Sequence, residues 1–268
     1  MTTTAGPQPT LNLLAGFTDV LRSEFCKLRS VRSTLWTLLA AVVSNIILAG
    51  LAAIFLTSRL SARERASIDS IRVSLAGLHL SQIAFGVLGV LVITSEYSSG
   101  MIRATLSAVP RRRQVLAAKS LVFAAAGLAV GGLSCLGAYF VFQTFLPGEA
   151  LKSSIGDPGV LRAVLGGGLY LTVLGLLGLG LGAVLRSGVA AIATLFGLLF
   201  VPTILAEILP PSWRGTVAPY LPMNAGESIY SLQRESGALA AWPGFAVFCF
   251  YAATALALGF VLITRRDA

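Results

Sequence analysis

Apolar residues run in six long blocks along this 268-residue chain, and polar residues are largely confined to the gaps between them. A helix needs about 20 mainly apolar residues to cross about 30 Å of hydrocarbon. Blocks of that kind lie near residues 35–56, 78–94, 115–146, 160–185, 189–209 and 243–264. The second is short unless it borrows residues 71–77, and the third is long enough to tilt or to project beyond the bilayer. Only Arg186-Ser187-Gly188 separates the fourth from the fifth, so these two must be antiparallel neighbours. The pattern predicts an all-α polytopic membrane protein with six transmembrane helices.

A different period precedes the first block. Leu14, Phe17, Leu21, Phe25 and Leu28 recur at helical spacing, with Asp19, Ser23 and Lys27 on the far side and Arg22 and Arg29 on the flanks. That pattern predicts an amphipathic helix lying in the cytoplasmic interface beside the lipid bilayer, or packed on a cytoplasmic subunit. The chain then divides into an N-terminal tail with its interfacial helix (1–34) and a six-helix domain (35–268). Two loops stand out in that domain, 95–114 and 210–242.

Composition narrows the function classes. Hydrophobic residues make up 56% of the chain and charged residues 12%, against about 25% charged in an ordinary globular domain. Mean hydropathy is +0.83. A net charge of +9 would suit nucleic acid, but the basic residues sit beside apolar blocks, where membrane topology explains them better and no nucleic acid is expected. With the N-terminus inside, 12 of the 20 Lys and Arg fall on the inner side, including Arg111, Arg112 and Arg113. Both termini are therefore expected in the cytoplasm of a multi-pass plasma-membrane protein. No basic stretch followed by an apolar core opens the chain, so no cleaved leader is expected.

Candidate chemistry is sparse. Cys26, Cys135 and Cys249 form no CxxC, and His79 has no second ligand at metal spacing, so no metal site and no catalytic residue is expected. None of the lysines (Lys27, Lys119, Lys152) follows a glycine, so a phosphate-cradling loop is missing and the chain cannot use ATP alone. Gly178-x-Gly180-x-Gly182 lies inside an apolar block and, like Gly127-x-x-x-Gly131, reads as close helix packing. Ionisable residues at membrane depth mark ion paths. They are nearly missing here: Glu207 is near a span end, and Asn45 and Ser134 are uncharged. An externally supplied power stroke fits this better than ion coupling.

The loop after the second block carries a specific pattern: Glu96-Tyr97-x-x-Gly100-x-Ile102-Arg103, then Pro110-x-Arg112, then Lys119 opening the third span. It resembles the cytoplasmic loop of ABC-2 type permeases, the membrane subunits of ABC exporters. The segment Ser23-Glu24-x-x-Lys27-Leu28-x-Ser30-x-Arg32-Ser33 and the run Tyr220-Leu221-Pro222-Met223-Asn224-Ala225 are also similar to that family. Met101 stands where members often have Thr.

The resemblance implies a six-span half-transporter that pairs with a second permease copy or a paralogue. It also implies a separate ABC ATPase subunit that carries the ATP and Mg; no cofactor is expected in this chain. It places a coupling helix after the second span, seated on the ATPase. Ile102, Leu106 and Val109 fall at helical spacing for that contact, Pro110 stops the helix, and Glu96 and Arg103 are expected to pair with charges on the partner. Tyr97, Gly100 and Arg112 complete the expected coupling set. The apolar loop 210–242, with Trp213, Tyr220 and Pro222, is expected to close the outer exit as a gate. The dimer contact is expected along the first and fifth spans, with Asn45 and Thr194 facing a central pathway. Two rivals stay open from the residues themselves: an ion-coupled secondary carrier, and a membrane scaffold that recruits a cytoplasmic protein through the same loop.

Overall fold

The computed structural model describes residues 12–59, 69–102, 112–146, 152–208, 210–233 and 237–265. Among them the chain is helical, and six helices are long and apolar enough to cross a membrane. Helix α1 (Asn12–Ser30) is followed by the first span, α2 (Arg32–Arg59). A single turn, α3 (Ser70–Ser74), leads into the second span, α4 (Leu78–Ser98). The third, fourth and fifth spans are α5 (Arg112–Phe145), α6 (Val160–Leu185) and α7 (Gly188–Ile208). Two short helices, α8 (Pro211–Val217) and α9 (Pro222–Glu227), flank a 3-10 turn (Ala218–Tyr220), and α10 (Ala241–Arg265) is the sixth span.

The short second block does not lengthen by borrowing residues 71–77. Asp69 instead caps α3, its carboxylate accepting from the Ile71 and Arg72 amides at 3.0 and 3.1 Å, and α4 starts afresh at Leu78. Proline at the first position opens α8 and α9, where its missing N–H would find no partner anyway. The turn between α6 and α7 is as tight as its spacing predicts. Arg186 closes α6 in the left-handed region (φ 56°), its amide bonding the Gly182 carbonyl at 2.9 Å.

α6 is the axis of the molecule, with α4, α5 and α10 all packed on it. The contacts on α4 run in parallel register, from Gly167 beside Leu78 to Gly182 beside Ile93. Those on α5 run antiparallel, from Gly168 beside Gly132 to Gly175 beside Phe123. A Cβ on Gly89 would land on the Gly175 carbonyl, and one on Gly168 would lie 2.6 Å from the Gly132 amide nitrogen. Backbone therefore touches backbone, the close approach that drives helix association where lipid is as apolar as the core.

α2 packs on α5 and α4. Asn45, expected to face a central pathway, is fully buried instead, its amide donating to the Ser134 hydroxyl of α5 at 3.0 Å. A polar group in hydrocarbon is held by the nearest partner that can satisfy it, and Ser134 sits one helix away. Thr194, on α7, is exposed.

Candidate functional site

α1 lies against α5, and its buried side is not the stripe of large apolar residues. Val20 and Glu24 are buried, and Lys27 is half-buried. Phe17, Leu21 and Leu28 are half-buried along one edge, while Phe25 is 54% exposed. The Leu14 side chain lies outside the described residues. The protein-facing side thus differs from the apolar stripe and includes Lys27, on the side far from Phe25.

Charge sets which side faces the bundle. Lys119, in the first third of α5, is 2% exposed. Its ammonium donates to Glu24 Oε2 at 2.6 Å and to Glu96 Oε1 at 2.7 Å. Lys27 donates to Glu24 Oε1 at 2.7 Å and to Glu96 Oε1 at 2.9 Å. Two carboxylates and two ammoniums from α1, α4 and α5 thus close into a neutral cluster, with Glu24 and Glu96 themselves buried. Both lysines use the same oxygen of Glu96, and its Oε2 has no hydrogen-bond partner. Removing one member of such a set leaves an uncompensated buried charge, at a cost of about 3–5 kcal/mol.

Partial burial works against the charged form of Lys27, but the hydrogen bonds and charges of Glu24 and Glu96 outweigh it and raise its pKa above the ordinary 10.5. A raised lysine stabilises the docked helix fully below 10.5, and that contribution is lost as the pH climbs through the higher folded value. The ammonium is charged throughout the physiological range.

This cluster corrects one expectation. Glu96 faces inward onto lysines of its own chain rather than outward to a partner's charge. The four charges are gathered at one end of the bundle, where they neutralise one another. A lone lysine inside an apolar block was the legible signal, because such a charge demands a counter-charge. Glu24 and Glu96 stand in the two motifs that resemble the family, and nothing in either motif pairs them with Lys119.

The other expected coupling residues are placed as follows. Tyr97 is half-buried, with the Arg186 guanidinium 5.2 Å from its ring centre, which ties the end of α4 to the α6–α7 turn. Gly100 breaks the chain away after α4 in the left-handed region (φ 71°), which glycine adopts without strain. Ile102 is already buried in its own chain. Arg112 donates to the Ile263 carbonyl of α10 at 3.5 Å. Arg103, Leu106 and Val109 lie outside the described residues.

At the opposite end of the bundle an open cavity of about 660 Å³ is lined by Arg72, Arg162, Glu207, Arg214, Asn224 and Glu227, among others. Arg162 donates to the carbonyls of Ile229 (2.7 Å) and Ser231 (3.0 Å), and Arg214 pairs with Glu207. Of the expected gate residues, Trp213 and Tyr220 are exposed beside this cavity and Pro222 is buried at the start of α9.

The sequence profile of the family described as ABC-2 family transporter protein matches residues 20–209. All four members of the charge cluster fall inside that match. The chain belongs to the ABC-2 family of transporter proteins. It is the multi-pass membrane component of an ABC transporter, a permease and not itself a catalyst, and the family generally pairs with an ABC ATPase subunit. Residues 210–242 lie beyond the matched segment. Among curated proteins, none matches the chain.

Proposed function

We propose that this permease is the membrane-spanning half of an ATP-driven exporter, pairing with a second copy or a paralogue and driven by a separate ATPase bound at residues 95–114. The termini lie in the cytoplasm of a plasma-membrane protein, and ATP and Mg reside on the partner. The loop 210–242 serves as the outer gate over the cavity at that end.

The observation that carries this reading is the charge cluster. Glu96 precedes the loop at 103–111 and Lys119 follows it, and each bonds to α1. A push on the loop would therefore reach α4, α5 and α1 together instead of bending one helix. Bidirectional tethering of that kind suits a mechanical input, and the mutual neutralisation of the charges, away from mid-bundle, does not suit an ion path.

The test is co-purification of the ATPase with loop variants, together with coupled ATP turnover in liposomes. Leu106→Asp and Arg103→Glu should each weaken docking by about 2 kcal/mol, roughly thirtyfold in affinity, with abundance unchanged. Ser107→Ala should remain active. Full partner retention and full coupled turnover in both variants would show that the loop is not the contact.

A further inference from the structure

The lipid-facing surface between α5 and α10 carries a groove that the transport reading does not use. Both helices lean on α6 more than on each other, so they separate on the outside. The hydrogen bond from Arg112 to the Ile263 carbonyl joins them at one end. The space between is about 530 Å³, lined by Arg113, Gln114, Ala117, Ala257, Phe260 and Val261.

The groove is amphipathic along the helix axes. Its floor is set back because Ala117 and Ala257 are small, and Phe260 and Val261 wall it. Arg113 to Ala117 spans about 6 Å of helix rise, enough for the first part of one acyl chain. The rim is cationic. Arg113 is exposed at the start of α5, and Arg265 is exposed in the last turn of α10, two residues beyond the carbonyl that receives Arg112. Neither has an ion pair among the described residues, whereas Lys27, Lys119 and Arg214 all do.

We propose that this groove holds one anionic diacyl phospholipid from the surrounding leaflet. Its phosphate sits between Arg113 and Arg265, Gln114 donates to the headgroup, and one acyl chain lies over Ala117 and Ala257. Charge complementarity selects the occupant: two exposed arginines without an ion pair among the described residues, above an apolar slot, match an anionic headgroup above a chain, as basic pockets between membrane helices do generally. A zwitterionic lipid would fill the slot equally well but would bring its own cation to the rim.

The experiment is native mass spectrometry of the purified full-length permease, delipidated in mild detergent and then titrated with phosphatidylglycerol or phosphatidylcholine. The wild type should retain one phosphatidylglycerol preferentially. Arg113→Gln should lower that retention about fivefold, the loss of one near-surface cation, and Arg113→Lys should restore most of it. Ala257→Phe should displace the lipid with every charge intact, and excess glycerol phosphate should fail to compete. Equal retention of the two lipids by the wild type would overturn the proposal, as would unchanged retention in both Arg113→Gln and Ala257→Phe. So would displacement by glycerol phosphate, which would make the rim a free-phosphate site. Arg113 is exposed, so Arg113→Gln keeps the test open if Ala257→Phe fails to fold.

Discussion

Helices α6 and α7 follow one another across a tight turn and are almost equally apolar, with mean hydropathies of 2.0 and 2.3 over their most apolar stretches. Yet 72% of that stretch is buried in α6 and 22% in α7. Hydrophobicity does not separate them, because lipid satisfies an apolar side chain as well as a neighbouring helix does. Side-chain size does. α6 carries seven glycines and α7 two, so backbones reach α6 from several sides while Leu, Ile and Val keep α7 at the rim. α6 also offers a polar handle: Tyr170, fully buried, donates to Gln82 of α4 at 2.6 Å.

The contrast can be broken most severely at Gly89. Gly89→Leu would drive a side chain into the Gly175 backbone, which cannot yield. A loss of about 3 kcal/mol or more is expected, read as collapse of the folded fraction in detergent unfolding. A wild-type midpoint would mean that the helices separate at little cost and that small residues do not set the axis. A smaller effect belongs to the polar handle. Tyr170→Phe strands Gln82, and buried hydrogen bonds in membrane helices average about 0.6 kcal/mol with a ceiling near 1.7. The unfolding midpoint should fall by an amount in that range, and an increase in stability would show that the pair is not contributing. The smallest effect lies in α7. Gly197 has nothing within 4 Å of where a side chain would go. Gly197→Leu should therefore change protomer stability by under about 0.5 kcal/mol. If it instead weakens crosslinking between copies, α7 is a rim only within one protomer and meets its second copy there.

Hydropathy made the spans legible, and 160–185 coincides with α6 to the residue. Order within the bundle was not legible, since neither length nor apolarity distinguishes an axis from a rim. The glycines of α6 held that information, but as packing residues they name no partner. At the candidate site the motifs contain all four charged residues without pairing them, and the periodicity of α1 says nothing of what its polar side meets. The stripe that includes Phe25 reports affinity for lipid or protein alike, so it does not say that the opposite side, with Glu24 and Lys27, packs on the bundle. Glu96 and Lys119, far along the chain, make the lysine side the inner one. Asn45 failed for the same reason: its partner, Ser134, is 89 residues away.

The cluster at Glu24, Lys27, Glu96 and Lys119 also constrains the order of biosynthesis. α1 leaves the ribosome first, yet its inner face carries a carboxylate and an ammonium whose partners stand 69 and 95 residues downstream. Until α5 has been made, Glu24 has Lys27 of its own helix but lacks Lys119, so burying the pair is less favourable and the nascent helix has reason to wait in the headgroup layer with its apolar stripe toward lipid. Docking is complete only once Glu96 and Lys119 are both in place. The first helix to be translated is thereby among the last to reach its native contacts, and a chain stopped short of residue 119 would expose α1 to quality-control proteases as an unlatched end.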